Sequence, residues 1–202
     1  MKLPKPPRNP WKRLSSQIVY KNPWIRVRED RVQRPDGKPG IYGVVEISPC
    51  VVVVPIRNDG MTLILGQWRY ALNRYSWELP NGAGKKGENH MKSARRELRE
   101  EGGLIVRRLY SLGITDQSNG VTTDVGHLYL GLGVREVGAK PDGDEEFEPL
   151  WVPFRVAVRM AEDGRITEGV SVAALLRAAR HPKAKPFLTA ETRRTQTKKG
   201  RK

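Results

Sequence analysis

The 202-residue chain has the length of one ordinary domain with some attached structure, and its 38% hydrophobic content supplies a core and excludes disorder throughout. No apolar run approaches the roughly 18–20 residues of a membrane helix, and the Met1–Pro7 lead lacks the apolar stretch of a signal peptide. A single cysteine, Cys50, excludes an internal disulfide and fits a reducing cytoplasm. Lying in the run Cys50–Val54, it reads as a structural thiol rather than a nucleophile. The net charge of +15 invites a nucleic-acid reading, but residues 1–13 carry +5 and residues 183–202 carry +7, leaving only +3 for everything between. Both ends are poor in large apolar residues, so they read as mobile, solubilising tails, with weak, salt-sensitive polyanion binding as the functional alternative.

After the basic lead, residues 14–47 hold short extended segments at Gln17–Tyr20, Trp24–Arg28 and Tyr42–Ile47, with a turn at Pro35–Lys38. They predict a small antiparallel sheet ahead of the main body, which spans residues 48–182. That body opens with strands at Val51–Arg57 and Thr62–Arg69, joined through Asn58-Asp59-Gly60. A helix is expected from about Asn89 to Glu101, with Met91, Ala94 and Leu98 on its apolar side and Gly102-Gly103 as its stop. Strands follow at Leu104–Leu112, His127–Val134 and Pro149–Val152, then helices near Arg155–Ala161 and Val170–Arg180, the latter ended by Pro182. Strands and helices mixed in this way point to an α/β sandwich with helices covering a mixed sheet.

The chemistry concentrates between Gly82 and Leu104, which read G-x5-E-x7-R-E-L-x-E-E-x-G-L. Glu97, Glu100 and Glu101 stand at i, i+3 and i+4, so their carboxylates share one helical face. Hard oxygens gathered there suit magnesium or manganese, ions that also bind phosphate groups. Arg96 follows Glu88 at a distance that permits an ion pair tying the loop to the helix. Gly82 permits a backbone turn that directs a carbonyl toward the metal. A solvated acidic face balanced by Arg95, Arg96 and Arg99 is the plainer alternative, but the loop-plus-helix spacing fixes too many positions for coincidence.

This segment resembles the Nudix box, with every defining position filled. The resemblance implies an α/β/α Nudix sandwich, divalent metal held by Glu97, Glu100 and Glu101 with the carbonyl of Asn81 as an added ligand, and Glu88, Arg96, Gly82 and Gly103 as structural positions of the box. It further implies Mg2+-dependent hydrolysis of a pyrophosphate bond, with Mn2+ as a substitute ion.

The flanks resemble the ADP-ribose pyrophosphatase branch of that family. Gln67-Trp68-Arg69-Tyr70 and Trp77–Gly82 are similar to its lead-in, Ser118–Asp124 to its substrate loop, Asp144–Glu146 to its acidic turn, and Asp163–Ile166 to the segment before its last helix. The branch implies ADP-ribose as substrate, cleaved to AMP and ribose 5-phosphate. Asp124 stands where a loop glutamate is expected to act as base or water-orienting group, and Asn119 replaces a proline. Because aspartate is one methylene shorter, Glu145 and Glu146 stay as alternative bases. His127 is read as a packed strand residue, with a base as its alternative. Arg69 is the candidate for a substrate phosphate. Trp24, and Tyr42 as the second wall of one slot, are candidates for stacking on adenine, with core or interface packing as their alternative. The N-terminal sheet resembles the element that the branch exchanges in a homodimer. Rival readings are a nucleotide sugar such as GDP-mannose as substrate, action on capped RNA ends or RNA binding, and a catalytically silent Nudix fold.

Overall fold

The computed structural model describes residues 3–85, 87–140 and 146–189. Contacts divide the chain into two compact units, one formed by the residues up to Ser48 with Asp116–Asp124, the other by Pro49–Thr115 with the residues from Val125 onward. Among the described residues, no helix is long and apolar enough to cross a membrane.

The first unit is a three-stranded antiparallel sheet of β1 (Lys12–Lys21), β2 (Ile25–Gln33) and β3 (Pro39–Ile47) in that order. Its turns follow from side chains that imitate backbone. The Asn22 amide oxygen accepts from the N–H of Trp24 (2.9 Å) and of Ile25 (2.8 Å), and Asp36 accepts from the N–H of Lys38 (3.1 Å). The predicted antiparallel sheet is therefore present. It starts earlier than the charge pattern indicated, because Lys12 and Arg13 already pair with Gln33 and Val32. Every residue of β1 is exposed, Leu14, Ile18 and Tyr20 included. The Asp116–Asp124 loop joins β3 through Val45 N–H to Val121 O (2.8 Å) and Thr123 N–H to Val45 O (3.0 Å).

The second unit contains β4 (Cys50–Ile56), β5 (Met61–Arg69), a single 3-10 turn at Tyr70–Leu72, β6 (Arg74–Glu78), β7 (Asn81–Ala83), α1 (His90–Glu100), β8 (Leu104–Asp116), β9 (Val125–Glu136), β10 (Glu148–Pro153), α2 (Phe154–Glu162), α3 (Gly169–Arg180) and the short α4 (Pro186–Thr189). The sheet order is β10-β5-β4-β9-β8, with β6 added on β5 and β7 on β4. It is mixed: β4 and β9 run parallel, whereas β5 pairs antiparallel with β4, β6 and β10.

The central strand explains the layering. In β4, Val51 and Val53 face a core that contains Ala94 and Leu98 of α1, while Val52, Val54 and Ile56 face one that contains Phe154 of α2 and Leu175 of α3. A strand with both faces covered reads as an unbroken apolar run, which is what Cys50–Ile56 is. Helix, sheet and helices thus stack as the α/β/α sandwich expected from the sequence.

Two expectations need correction. Met91 is 40% exposed, and Ser93 takes its place facing inward. The first turn of α1 lies over the preceding loop, where the Ser93 hydroxyl donates to Glu88 Oε2 (2.7 Å). The basic tail expected from residue 183 also begins too early. Ala184 is fully buried, and Phe187 and Leu188 pack against the core on the α2/α3 side.

Candidate active site

The box residues assemble around Arg96. The side chain of Asn89 caps α1 by accepting from Met91 N–H (2.9 Å), which fixes where the helix begins and which residues share a face. Arg96 then donates from Nη2 to Glu88 Oε2 (3.2 Å) and to the Ala83 carbonyl (3.2 Å), closing the loop onto the helix as the spacing predicted. From Nη1 it also donates to Glu97 Oε1 (2.7 Å) and Glu100 Oε2 (2.9 Å). One guanidinium therefore serves three carboxylates. Its own pKa is raised, since these partners outweigh a burial that works against the charge. The Ser93 hydroxyl and then Arg96 hold the Glu88 carboxyl below its usual range.

Glu101, at the end of α1, is only 8% exposed and accepts from the Asn81 N–H through Oε2 (2.9 Å). Gly82 matters for space rather than for conformation: it lies in extended β7 without a positive φ, and an added Cβ would sit 2.5 Å from Glu97 Oε2. The expected turn-forming role of Gly82 is thus replaced by close approach. Gly103, by contrast, has φ +62°, and a Cβ there would lie 2.7 Å from the Gly138 carbonyl carbon. Its carbonyl accepts from Val137 N–H (2.7 Å), so this glycine ties the end of the helix to the segment after β9.

Beside the box lies a buried carboxylate, Glu78, that the sequence did not single out as the partner of Arg69. Glu78, 1% exposed, takes two donors from Arg69, Nε at 2.8 Å and Nη2, and a third from the Asn81 side chain (3.3 Å). Burial pushes its carboxyl up, but the Arg69 hydrogen bonds and charge prevail and hold it below the usual range. Glu78 in turn raises Arg69. Arg69 thus spends Nε and one Nη on the protein, and of its fork only Nη1 is free of these bonds. A charged residue between Trp77 and Leu79 in a strand was the sequence signal for this pair.

In the first unit, Trp24 is 76% exposed. The slot expected between Trp24 and Tyr42 does not form within one chain. Tyr42 is in register with Asp30, whereas Trp24 immediately precedes Ile25 at the start of β2, roughly 20 Å away at the rise of a strand. The ring beside Tyr42 is Trp11, edge-on at 5.3 Å, and the Tyr42 hydroxyl donates to the Gly120 carbonyl (2.6 Å). Asp124 accepts from the Gln117 side chain through Oδ2 (3.1 Å), while its buried Oδ1 has no hydrogen-bond partner. Burial raises the Asp124 carboxyl despite that bond.

In the second unit, His127 stacks on His90 with ring centroids 3.7 Å apart, and burial followed by the His90 charge lowers its pKa. This is the packed histidine the strand position indicated. Glu146 is exposed, and its charge helps raise the Tyr75 hydroxyl, whose main partner is Glu148. Asp144 and Glu145 lie outside the described residues.

A family model described as "NUDIX domain" matches residues 47–177. The chain belongs to the Nudix family. A second model, "Nucleoside diphosphate sugar hydrolase N-terminal domain", matches residues 11–45 of this Nudix protein. An ADP-ribose pyrophosphatase of Mycobacterium tuberculosis is 31% identical over 166 residues, covering 81% of this chain and 80% of the relative. An ADP-ribose pyrophosphatase of Bacillus subtilis is 26% identical, covering 81% and 90%. The fold is shared with a crystal structure of an ADP compounds hydrolase at TM-score 0.79 and 18% identity, covering 91% of this chain and 100% of that one. The chain is thus a Nudix pyrophosphohydrolase that resembles the ADP-ribose pyrophosphatase branch.

Divalent ions are the general cofactors of Nudix enzymes, and the donor chemistry of this Nudix box fits one. Glu97, Glu100 and Glu101 supply hard oxygens from a single helix, and the missing side chain at position 82 leaves the Glu97 carboxylate its room. The three do not converge on one point. Among the described residues no group of three or more His, Cys, Asp or Glu is arranged for a metal ion. The reason is visible in the partners: Arg96 draws Glu97 and Glu100 to itself, and Asn81 N–H holds Glu101.

Proposed function

We propose that this Nudix enzyme hydrolyses ADP-ribose at its pyrophosphate bond with Mg2+, releasing AMP and ribose 5-phosphate. The observation that carries the reading is the box itself, complete and closed by Arg96 onto Glu88, Glu97 and Glu100. The names of the two ADP-ribose pyrophosphatases to which the chain is similar point to the substrate.

In this reading Glu97, Glu100, Glu101 and the Asn81 carbonyl hold the ion. When bound, the ion neutralises charge on the pyrophosphate and acidifies an attacking water. Arg96 keeps loop and helix together, and Asn81 N–H sets the orientation of Glu101. Arg69, anchored by Glu78, offers its remaining Nη1 to a phosphate oxygen. Asp124 is assigned the proton of the attacking water on its own surroundings, a half-buried carboxylate with one buried, unpaired oxygen and a raised pKa. Trp24, largely exposed, is assigned to stacking on a base.

The exposed apolar residues of β1 support a homodimer built through the first sheet. Light scattering on the eluted protein tests it, and a monomer at micromolar concentration rejects it.

The deciding experiment is a panel of ADP-ribose, GDP-mannose and capped RNA, assayed for monophosphate release with Mg2+ and with Mn2+. ADP-ribose is expected to be cleaved best, and preference for another substrate reassigns the enzyme. Glu101→Gln is expected to abolish turnover with its Tm kept. Near-normal Mg2+-dependent activity in that variant would remove Glu101 from the mechanism.

A further inference from the structure

A cavity of about 750 Å³ runs along the outer flank of α1, between the helix, the start of β8 and residues 137–140. Its lining includes Lys92, Arg95 and Arg99, whose spacing sets them on one side of α1, and Lys140 opposite. Leu98 and Val106 give it an apolar floor. Among the described residues its remaining charged walls are Glu88, Arg96 and Glu100, and both of those carboxylates already accept from Arg96. Neither Asn81, Gly82, Glu97 nor Glu101 lines it, so it shares Glu100 with the Nudix box but lies beside the other carboxylates assigned to the ion.

The charge balance of this groove is uneven. Lys92, Arg95, Arg99 and Lys140 form no ion pair with any described residue, and the one hydrogen bond of Arg95 goes to the Val106 carbonyl (2.6 Å). Like charges held along one hollow repel each other, and a bound anion removes that cost. Guanidinium and ammonium groups suit phosphate oxygens. The volume falls in the range of about 300–1,000 Å³ that encloses small molecules, and an apolar floor suits the flat body that a nucleotide adds to its phosphate.

We infer that this groove binds a phosphate-bearing small molecule of nucleotide size on its Lys92, Arg95, Arg99 and Lys140 side, at a site beside Glu97 and Glu101 and not on them. The inference does not rest on the substrate proposed for the reaction.

Calorimetric titration of AMP into the full-length protein, with a chelator removing divalent ions, is the test. Saturable binding is expected, weakened about tenfold or more in the double variant Arg99→Ala, Lys140→Ala, and unchanged in Glu101→Gln. Arg99 and Lys140 are exposed, so the double variant is expected to keep the Tm of the parent protein. Absence of saturable binding, or equal affinity in the double variant and the parent protein, overturns the site. Inorganic phosphate binding as tightly as AMP overturns the nucleotide-sized ligand. A failure to cleave ADP-ribose bears on the reaction alone and leaves this isotherm as it is.

Discussion

Gly82 and the Glu97 carboxylate occupy one shared space: a Cβ on the glycine would lie 2.5 Å from Oε2 and 2.8 Å from Oε1. Because Gly82 has no positive φ, alanine is tolerated by the backbone there, and the strain falls on the glutamate. The flexible end of Glu97 can move away, so the fold survives while the carboxylate is displaced. A shift of about 1 Å in such a group costs on the order of 100-fold in rate. Gly82→Ala is therefore expected to lower kcat by about that factor with little change in Tm. Activity within about twofold of the parent enzyme would show that the position of Glu97 is unimportant.

Glu78 and Arg69 make a stability prediction with a definite pH sign. Removing the guanidinium strands a buried carboxylate, at about 3–5 kcal/mol for a fully buried pair. The Arg69 side chain is 40% exposed, so solvent screening reduces the expected cost of Arg69→Ala to about 2 kcal/mol. The folded pKa of Glu78 lies below its ordinary 4.5, so the pair's contribution is present above that value and is lost as pH falls through the folded one. Urea unfolding of the parent and variant proteins should show the difference at pH 7 and a smaller one in acid. A gap independent of pH would mean that the ionised pair is not its source.

Asp124 has the opposite sign. Burial raises its pKa, so its favourable state is the protonated one, present below the ordinary 3.8 and lost as pH rises through the folded value. Asp124→Asn should accordingly raise Tm at neutral pH, with the gain fading in strong acid. The same change should lower kcat/KM by roughly 100-fold or more if the carboxylate accepts the water's proton. In the parent enzyme, the acid limb of the pH–rate profile should lie above that of an unperturbed aspartate. Full activity in Asp124→Asn returns attention to Glu146 or to the acidic residues before it.

The contrast between these residues shows what the sequence carries. The apolar run of Val51 to Ile56 and the helical spacing of Ala94 and Leu98 are local properties, and β4 and α1 followed from them. Residues Glu97, Glu100 and Glu101 were legible because helical periodicity alone places them on one face. How their carboxylates turn was not, since that depends on Arg96, Asn81 and Gly82 meeting them from loop and sheet. Glu78 escaped notice for the same reason: its partner Arg69 lies on the neighbouring strand opposite Arg74, and only the reach of the arginine side chain along the β5–β6 pair brings the two together. Within one chain the Trp24–Tyr42 slot does not form on register either, because sequence proximity to the sheet says nothing about which residues face one another across it.

The end of the chain offers the last prediction, because composition misread it. Net charge made residues 183–202 look like a solvated tail, yet a charge count is blind to the few apolar side chains among them. The turn after α3 is held by Ala184 N–H to His181 O (2.9 Å) and Phe187 N–H to Ala184 O (3.0 Å). These bonds place Ala184 in the core and bring the Phe187 ring over the β4–β5 turn, where a Cβ on Gly60 would lie 3.9 Å from it. Partial burial of Phe187 and Leu188 with full burial of Ala184 is worth about 2–3 kcal/mol. Truncation after Pro182 should therefore lower stability by about that amount relative to truncation after Thr189, measured by urea unfolding of the two proteins. Equal midpoints for the two truncations would show that residues 183–189 add nothing to the core.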